Sequence, residues 1–189
     1  MQVLFADSLY LCHIFDTMIY HVLGLGQTIA HYIERNPEGR AIGVNDASRY
    51  VNPLWGLVVI DSPHVFTPDR LDHINRTECD VLFSSFTNYK SIRCNKFEQL
   101  SLFSTHMLEI DGRYYHSNNS PFIAVQAAYY NGATEIVLWG VDMIDHHALT
   151  GQLTKVQRDF DLLIRKLSDK GVQVFKGHKD SRLDLPVWE

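Results

Sequence analysis

The residues with chemistry to offer fall in short runs, each beside a stretch of apolar or β-branched residues. Gly24-Leu25-Gly26-Gln27-Thr28 follows MIYHVL, Asn45-Asp46 follows RAIGV, Asp61-Ser62 follows GLVVI, and Asp142 follows EIVLWGV. Two glycines one residue apart let the chain turn tightly against a phosphate, and the next helix offers free amides to an anion. The run GLGQTI lacks both the third glycine of a dinucleotide fingerprint and the lysine of a P-loop, so a plain strand-to-helix turn explains it equally well. Ser117-Asn118-Asn119-Ser120-Pro121 makes a second candidate anion site. Ser120 is expected as the N-cap and Pro121 at the first helical position, while the amides of Asn118 and Asn119 can donate to phosphate or ribose oxygens. Asp46 and Asp61 suit ribose hydroxyls, a metal or an ordinary turn. Asp142 closes an apolar run that ought to be buried, which marks it as a candidate catalytic carboxylate. His146 and His147 lie in the loop after it, and imidazole titrates near neutrality, so either suits a general base. Asp142 and His146 together supply only two metal ligands, too few for a zinc site, and no metal site is predicted. His178, beside Ser181, is a weaker candidate. Nucleophilic catalysis finds no support, since there is no GxSxG elbow and no cysteine placed with a histidine partner.

These runs need a scaffold that brings them together. Strands are expected at 18–23, 40–44, 56–60, 80–84, 135–140 and 172–175. Helices are expected at about 28–35, 68–76, 120–131 and 153–170. The last helix carries Val156, Phe160, Leu163, Ile164 and Leu167 on one face. Strands alternating with helices predict a single Rossmann-like α/β domain over 1–189, with a mostly parallel sheet and helices on both faces. In such a sheet the carboxyl ends of the strands share one edge, and ligands bind where strand order reverses. Residues 1–17 are expected as an N-terminal extension and 85–116 as an irregular insertion with short strands.

The chain has 189 residues, enough for one self-sufficient core. Its net charge of −5 and scattered basic residues argue against duplex nucleic acid as a partner. Cys12, Cys79 and Cys94 form no CxxC pair, which fits a reducing, cytoplasmic setting. No run approaches the length of a membrane span, and the apolar stretch at 1–20 has no basic flank, so it is not read as a signal peptide. Tyr114, Tyr115, Tyr129 and Tyr130 are open to three fates: a subunit interface in a homo-oligomer, a pocket wall, or the core.

The motifs resemble a known group. VLGLGQTI resembles the glycine-rich start shared by the bacterial lipooligosaccharide sialyltransferases and the DUF115 proteins, which are related to an archaeal 6-hydroxymethylpterin pyrophosphokinase and occur in phage genomes as well. SNNSPFIAVQAAYYNGATEIVLWGVD resembles the group's polar run, helix, glycine turn and strand ending in G-x-D, and GVQVFKGHKDSRLDLP is similar to its last strand and tail. The resemblance runs over roughly residues 18–189. It implies that Gly24, Gly26 and Thr28 lie against a nucleotide, that Asn45 matches the asparagine after the second strand, and that Asn118, Asn119 and Ser120 meet phosphate or ribose. It also implies a base histidine between the G-x-D strand and the last long helix, where His146 and His147 stand. The group's Pro-Ser is Gln27-Thr28 in this chain, and its phosphate-steadying tyrosines are replaced by Met143 and Ile144.

Three activities follow. The first is a glycosyltransferase-like enzyme using a CMP- or UDP-type sugar donor, expected to work without a metal; the one DxD run, Asp159-Phe160-Asp161, falls inside the expected last helix and not at a strand end. The second is a pyrophosphokinase-like enzyme with Mg²⁺ held by Asp46, Asp61 or Asp142. The third is a protein that binds or sequesters a nucleotide without turnover.

Overall fold

The computed structural model describes residues 17–117, 119–143 and 153–189. Along the chain come β1 (Ile19–Leu23), α1 (Ile29–Arg35), β2 (Arg40–Val44), β3 (Leu54–Val59), α2 (Pro68–Asn75), β4 (Glu78–Ser84) and β5 (Arg93–Gln99). They are followed by β6 (Leu102–Ser104), β7 (Tyr114–His116), α3 (Ser120–Tyr130), β8 (Glu135–Trp139), α4 (Leu153–Ser168) and β9 (Gln173–Lys176). Seven strands form one sheet in the order β5-β4-β3-β2-β1-β8-β9, and every neighbouring pair is parallel. The chain works outward from β1 through β5, then returns to lay β8 against the other side of β1. Strand order therefore reverses between β1 and β8, the place where such sheets leave a crevice.

The sheet is apolar on both faces, as an all-parallel sheet must be. On one face α3 and α4 supply Phe122 and Phe160, whose rings meet edge to face at 5.6 Å over Tyr20, Val22, Ile42 and Leu138. On the other face α1 and α2 bring Ile29, Tyr32 and Ile74 against Leu23, Leu57, Leu82 and Val137. The single Rossmann-like α/β architecture, with helices on both faces, is thus the observed one. His21 belongs to this second face and is wholly buried. Its two ring nitrogens are satisfied, one donating to the Glu38 carbonyl at 2.9 Å and the other accepting from the Trp139 indole at 3.1 Å. Burial lowers its pKa below that of an ordinary histidine.

The stretch 85–116, expected as an irregular insertion with short strands, holds the short strands β6 and β7 and one longer strand as well. It contributes β5, a full edge strand paired to β4 from Glu78↔Arg93 to Ser84↔Gln99, and the small parallel pair β6–β7. β5 reads RCNKFEQ, is mostly exposed, and so carries no apolar run to announce it. The four tyrosines pack inward. Tyr114 and Tyr115 are buried, and Tyr114 meets Tyr130 edge to face at 5.2 Å.

Candidate functional site

The polar runs gather on one edge because parallel strands deliver their carboxyl ends together. Gly24 and Gly26 follow β1, Asn45 and Asp46 follow β2, Asp61 follows β3, Ser84-Ser85 close β4, and Gly140 to Asp142 follow β8. α3 leads from this rim back to the amino ends of the strands and packs on β1, β2, β3 and β8. Its N-terminus, with its partial positive charge, therefore faces the rim. Asn119 rather than Ser120 is the N-cap. It makes no side-chain cap bond, and its carbonyl accepts instead from the Phe122 amide at 3.1 Å. Ser120 becomes the first helical residue and is buried. Asn118, His146 and His147 lie outside the described residues.

At the reversal point the glycine loop is filled by the chain itself. The amides of Gly24 and Gly26 donate to the Trp139 and Gly140 carbonyls at 2.7 and 2.8 Å. A Cβ on Gly24 would collide with the Gly140 carbonyl, and one on Gly26 would lie 2.5 Å from the Asp142 carboxylate. Asp142 is buried and accepts from both the Thr28 amide, at 2.9 Å, and the Thr28 hydroxyl. That hydroxyl in turn accepts the Gly140 amide at 2.8 Å. The two residues expected to meet the nucleotide and the reaction thus engage each other. Asp142 serves α1 as the internal anion at its start, which is chemistry a phosphate would otherwise supply.

Asp46 is likewise engaged. It is buried, and its carboxylate meets Arg70 at 2.7 Å and Arg49 at 2.9 Å. Those guanidiniums, both partly exposed, bring positive charge to the rim, whereas the aspartate has little acceptor capacity left. Asp61 is exposed, and its backbone carbonyl accepts from the Tyr89 hydroxyl at 2.6 Å.

Three other groups stand differently. Among the described residues, the buried side-chain atoms without a hydrogen-bond partner are Asn45 Oδ1, Ser85 Oγ and Ser117 Oγ. All three are on this rim: after β2, after β4 and between β7 and α3. Asn45 also holds φ of 50°, in the left-handed region where asparagine is one of the few side chains tolerated. Leaving a buried polar group unpaired costs about 1–3 kcal/mol, so these three atoms along one edge are free to bond ordered water or a polar ligand. Neighbouring strands are about 4.8 Å apart, which puts the ends of β2 and β4, with β3 between them, roughly 10 Å from each other.

Beside Ser117, at the end of β7, lies His116. With Phe103, Ser104, Thr105, His106 and Lys155 it lines a cavity of about 410 Å³. Burial lowers the His116 pKa; the Asp61 carboxylate opposes that shift and the Lys155 ammonium adds to it. A neutral imidazole at neutral pH is the form that takes up a proton. His116 was missed in the sequence because β7 is three residues long and has no periodicity to place it. A larger cleft, of about 860 Å³, opens at the amino ends of β2 to β5. Its polar residues are paired with one another, Arg93 to Glu78 at 2.6 Å and Asn95 to Asp80 at 2.9 Å. It carries no group in need of a partner.

An all-parallel sheet with a polar rim at its reversal point defines a Rossmann-like α/β protein. The sequence matches no family model and no curated protein. Among solved structures, the chain is similar to the sialyltransferase CstII from Campylobacter jejuni in complex with cytidine-5'-monophosphate, with a TM-score of 0.52 and 12% identity over 88% of this chain and 82% of that one. The complex of CstII with CMP-3FNeuAc gives 0.54 and 12% over 90% and 85%. The apo α-2,3-sialyltransferase from Campylobacter jejuni gives 0.53 and 13% over 93% and 81%. The likeness is one of fold: this chain shares the overall α/β architecture of those structures. Among the described residues, no helix is long and apolar enough to cross a membrane.

Proposed function

We propose that the chain binds a nucleotide-activated sugar of the CMP or UDP type along the carboxyl rim and transfers its glycosyl group to a hydroxyl. The observation that carries this is the set of unpaired buried atoms at Asn45, Ser85 and Ser117, lying beside the N-terminus of α3. Asn45 and Ser117 hold the nucleoside, as donors or acceptors to base and ribose. Asn118, Asn119 and Ser120 present the start of α3 to the phosphate, where its dipole stabilises the negative charge that the leaving group gains. The Arg49 and Arg70 guanidiniums support that charge. His116, in its cavity beside Ser117, is the base: it takes the acceptor's hydroxyl proton as that oxygen bonds to the anomeric carbon. The bond from that carbon to the phosphate oxygen breaks, and its electron pair leaves with the nucleotide. The resemblance to CMP-bound structures supports a nucleotide at this edge. His146 and His147 are the competing bases.

The pyrophosphokinase alternative needs carboxylates free for Mg²⁺. Asp46 is held by two arginines and Asp142 by Thr28, which leaves Asp61 as the accessible one of the three and disfavours that reading.

The test is nucleotide release from CMP- and UDP-sugars in the presence of a chelator. Release is expected, and His116→Ala is expected to reduce it by about a hundredfold or more. Loss confined to His146→Ala or His147→Ala moves the base to the following loop. Tight binding without any release identifies a non-catalytic binding protein, and absence of both binding and release overturns the proposal.

A further inference from the structure

We propose that His31, His178 and Asp180 form a binding site for a borderline divalent cation of the Zn²⁺ or Ni²⁺ class. The imidazole of His31, in the first turn of α1, stacks on that of His178, in the loop after β9, with ring centroids 3.6 Å apart and planes 17° from parallel. Each ring has its own carboxylate: Glu34 lies 3.4 Å from His31 Nδ1, and Asp180 lies 3.4 Å from His178 Nδ1. One donor atom from each of His31, His178 and Asp180 falls within 4.8 Å of the other two. Some point therefore lies within about 2.8 Å of all three, and bringing them to the 2.0–2.2 Å of zinc bonds takes side-chain shifts of under about 1 Å.

The backbones that carry these donors are fixed independently of any ion. α1 is tied down by the Thr28–Asp142 bonds at its start. The loop after β9 is pinned to the end of β8: Gly177 donates to the Leu138 carbonyl at 2.8 Å, Ser181 Oγ to the Val141 carbonyl at 3.2 Å, and Arg182 to the Asp142 carbonyl at 3.1 Å. The side chains themselves are partly exposed, and so can turn to a common ion and leave a coordination position to solvent. Two imidazoles with one carboxylate are donors suited to Zn²⁺, Ni²⁺ or Cu²⁺. Mg²⁺ and Ca²⁺ prefer all-oxygen shells. Unlike the rim residues, these donors belong to α1 and the β9 loop, so the site stands whether or not the nucleotide proposal does.

The experiment is calorimetric titration of the metal-free full chain with Zn²⁺, alongside His31→Ala, His178→Ala and the double variant His146→Ala/His147→Ala. One Zn²⁺ per chain is expected at the wild-type site. His31→Ala and His178→Ala, each with an unchanged circular dichroism spectrum, are expected to weaken binding at least about tenfold, since even outer-shell losses commonly cost that much. The His146/His147 double variant should bind as wild type does. Asp180→Asn, a milder change, should weaken binding while leaving the histidine stack in place. Absence of Zn²⁺ binding, or binding that survives His31→Ala and His178→Ala, would overturn the proposal. So would binding lost in the His146/His147 variant alone.

Discussion

Replacing Asp142 by alanine leaves the Thr28 amide and hydroxyl buried without their acceptor. The expected cost is about 2 kcal/mol of stability, read as a lower urea midpoint. Loss of turnover in Asp142→Ala with an unchanged midpoint would instead make this carboxylate a reacting group. From the sequence, Asp142 invites that assignment, because an aspartate after a buried strand looks too costly to be incidental. Which residue compensates it is a tertiary fact: its partner Thr28 is more than a hundred positions away. The same holds for Asp46, whose partners include Arg70. At this scale the sequence locates polar residues and leaves open which of them are already paired. His21 carries a second prediction. It is buried neutral, with a pKa held below the ordinary histidine value by desolvation, so the unfolded chain binds its proton more readily than the folded one. Its contribution to stability is intact above the unfolded pKa of about 6.5, and is lost as pH falls below that value toward the folded pKa. The urea midpoint of the wild type should therefore drop between pH 7.5 and 5.5, and His21→Phe should flatten that part of the profile. A variant with the wild-type slope would contradict the assignment.

The β1–α1 loop and the end of β8 form one unit. The loop has two glycines because another backbone crosses it. A phosphate explains the same spacing, and so the sequence alone does not separate the two causes. Gly24→Ala drives a methyl group into the Gly140 carbonyl and is expected to cost at least about 1–3 kcal/mol, measured by thermal or urea unfolding. A neutral Gly24→Ala would mean that the loop stands clear of β8. Most elements were legible from their apolar periods: β1, β2, β8 and α4 fall within a residue or two of their expected limits. β3 begins two residues earlier than expected, because Leu54 already pairs with Cys79 of β4 before the GLVVI run. β5 was not legible, since an exposed edge strand with Arg93, Asn95, Lys96 and Glu98 resembles a loop in composition. β6 and β7 are too short to have a period. Because His116 sits on β7, the cavity beside the rim was invisible for the same reason.

For the molecule as a whole, strand order places the site. The alternation of elements implied a parallel sheet, but the outward run from β1 to β5 and the return at β8 come only from pairing. That order sets Asn45 and Ser85 along one edge, and the segment leading into α3 brings Ser117 there. The proposed activity requires a nucleotide at that edge. The most direct measurement is calorimetric titration with CMP and UMP in the presence of a chelator, for the wild type, Asn45→Ala and Ser117→Ala. One nucleotide per folded chain is predicted, weakened by about tenfold in each variant for the lost hydrogen bond. No binding of either nucleotide, or equal binding by all three proteins, would contradict it.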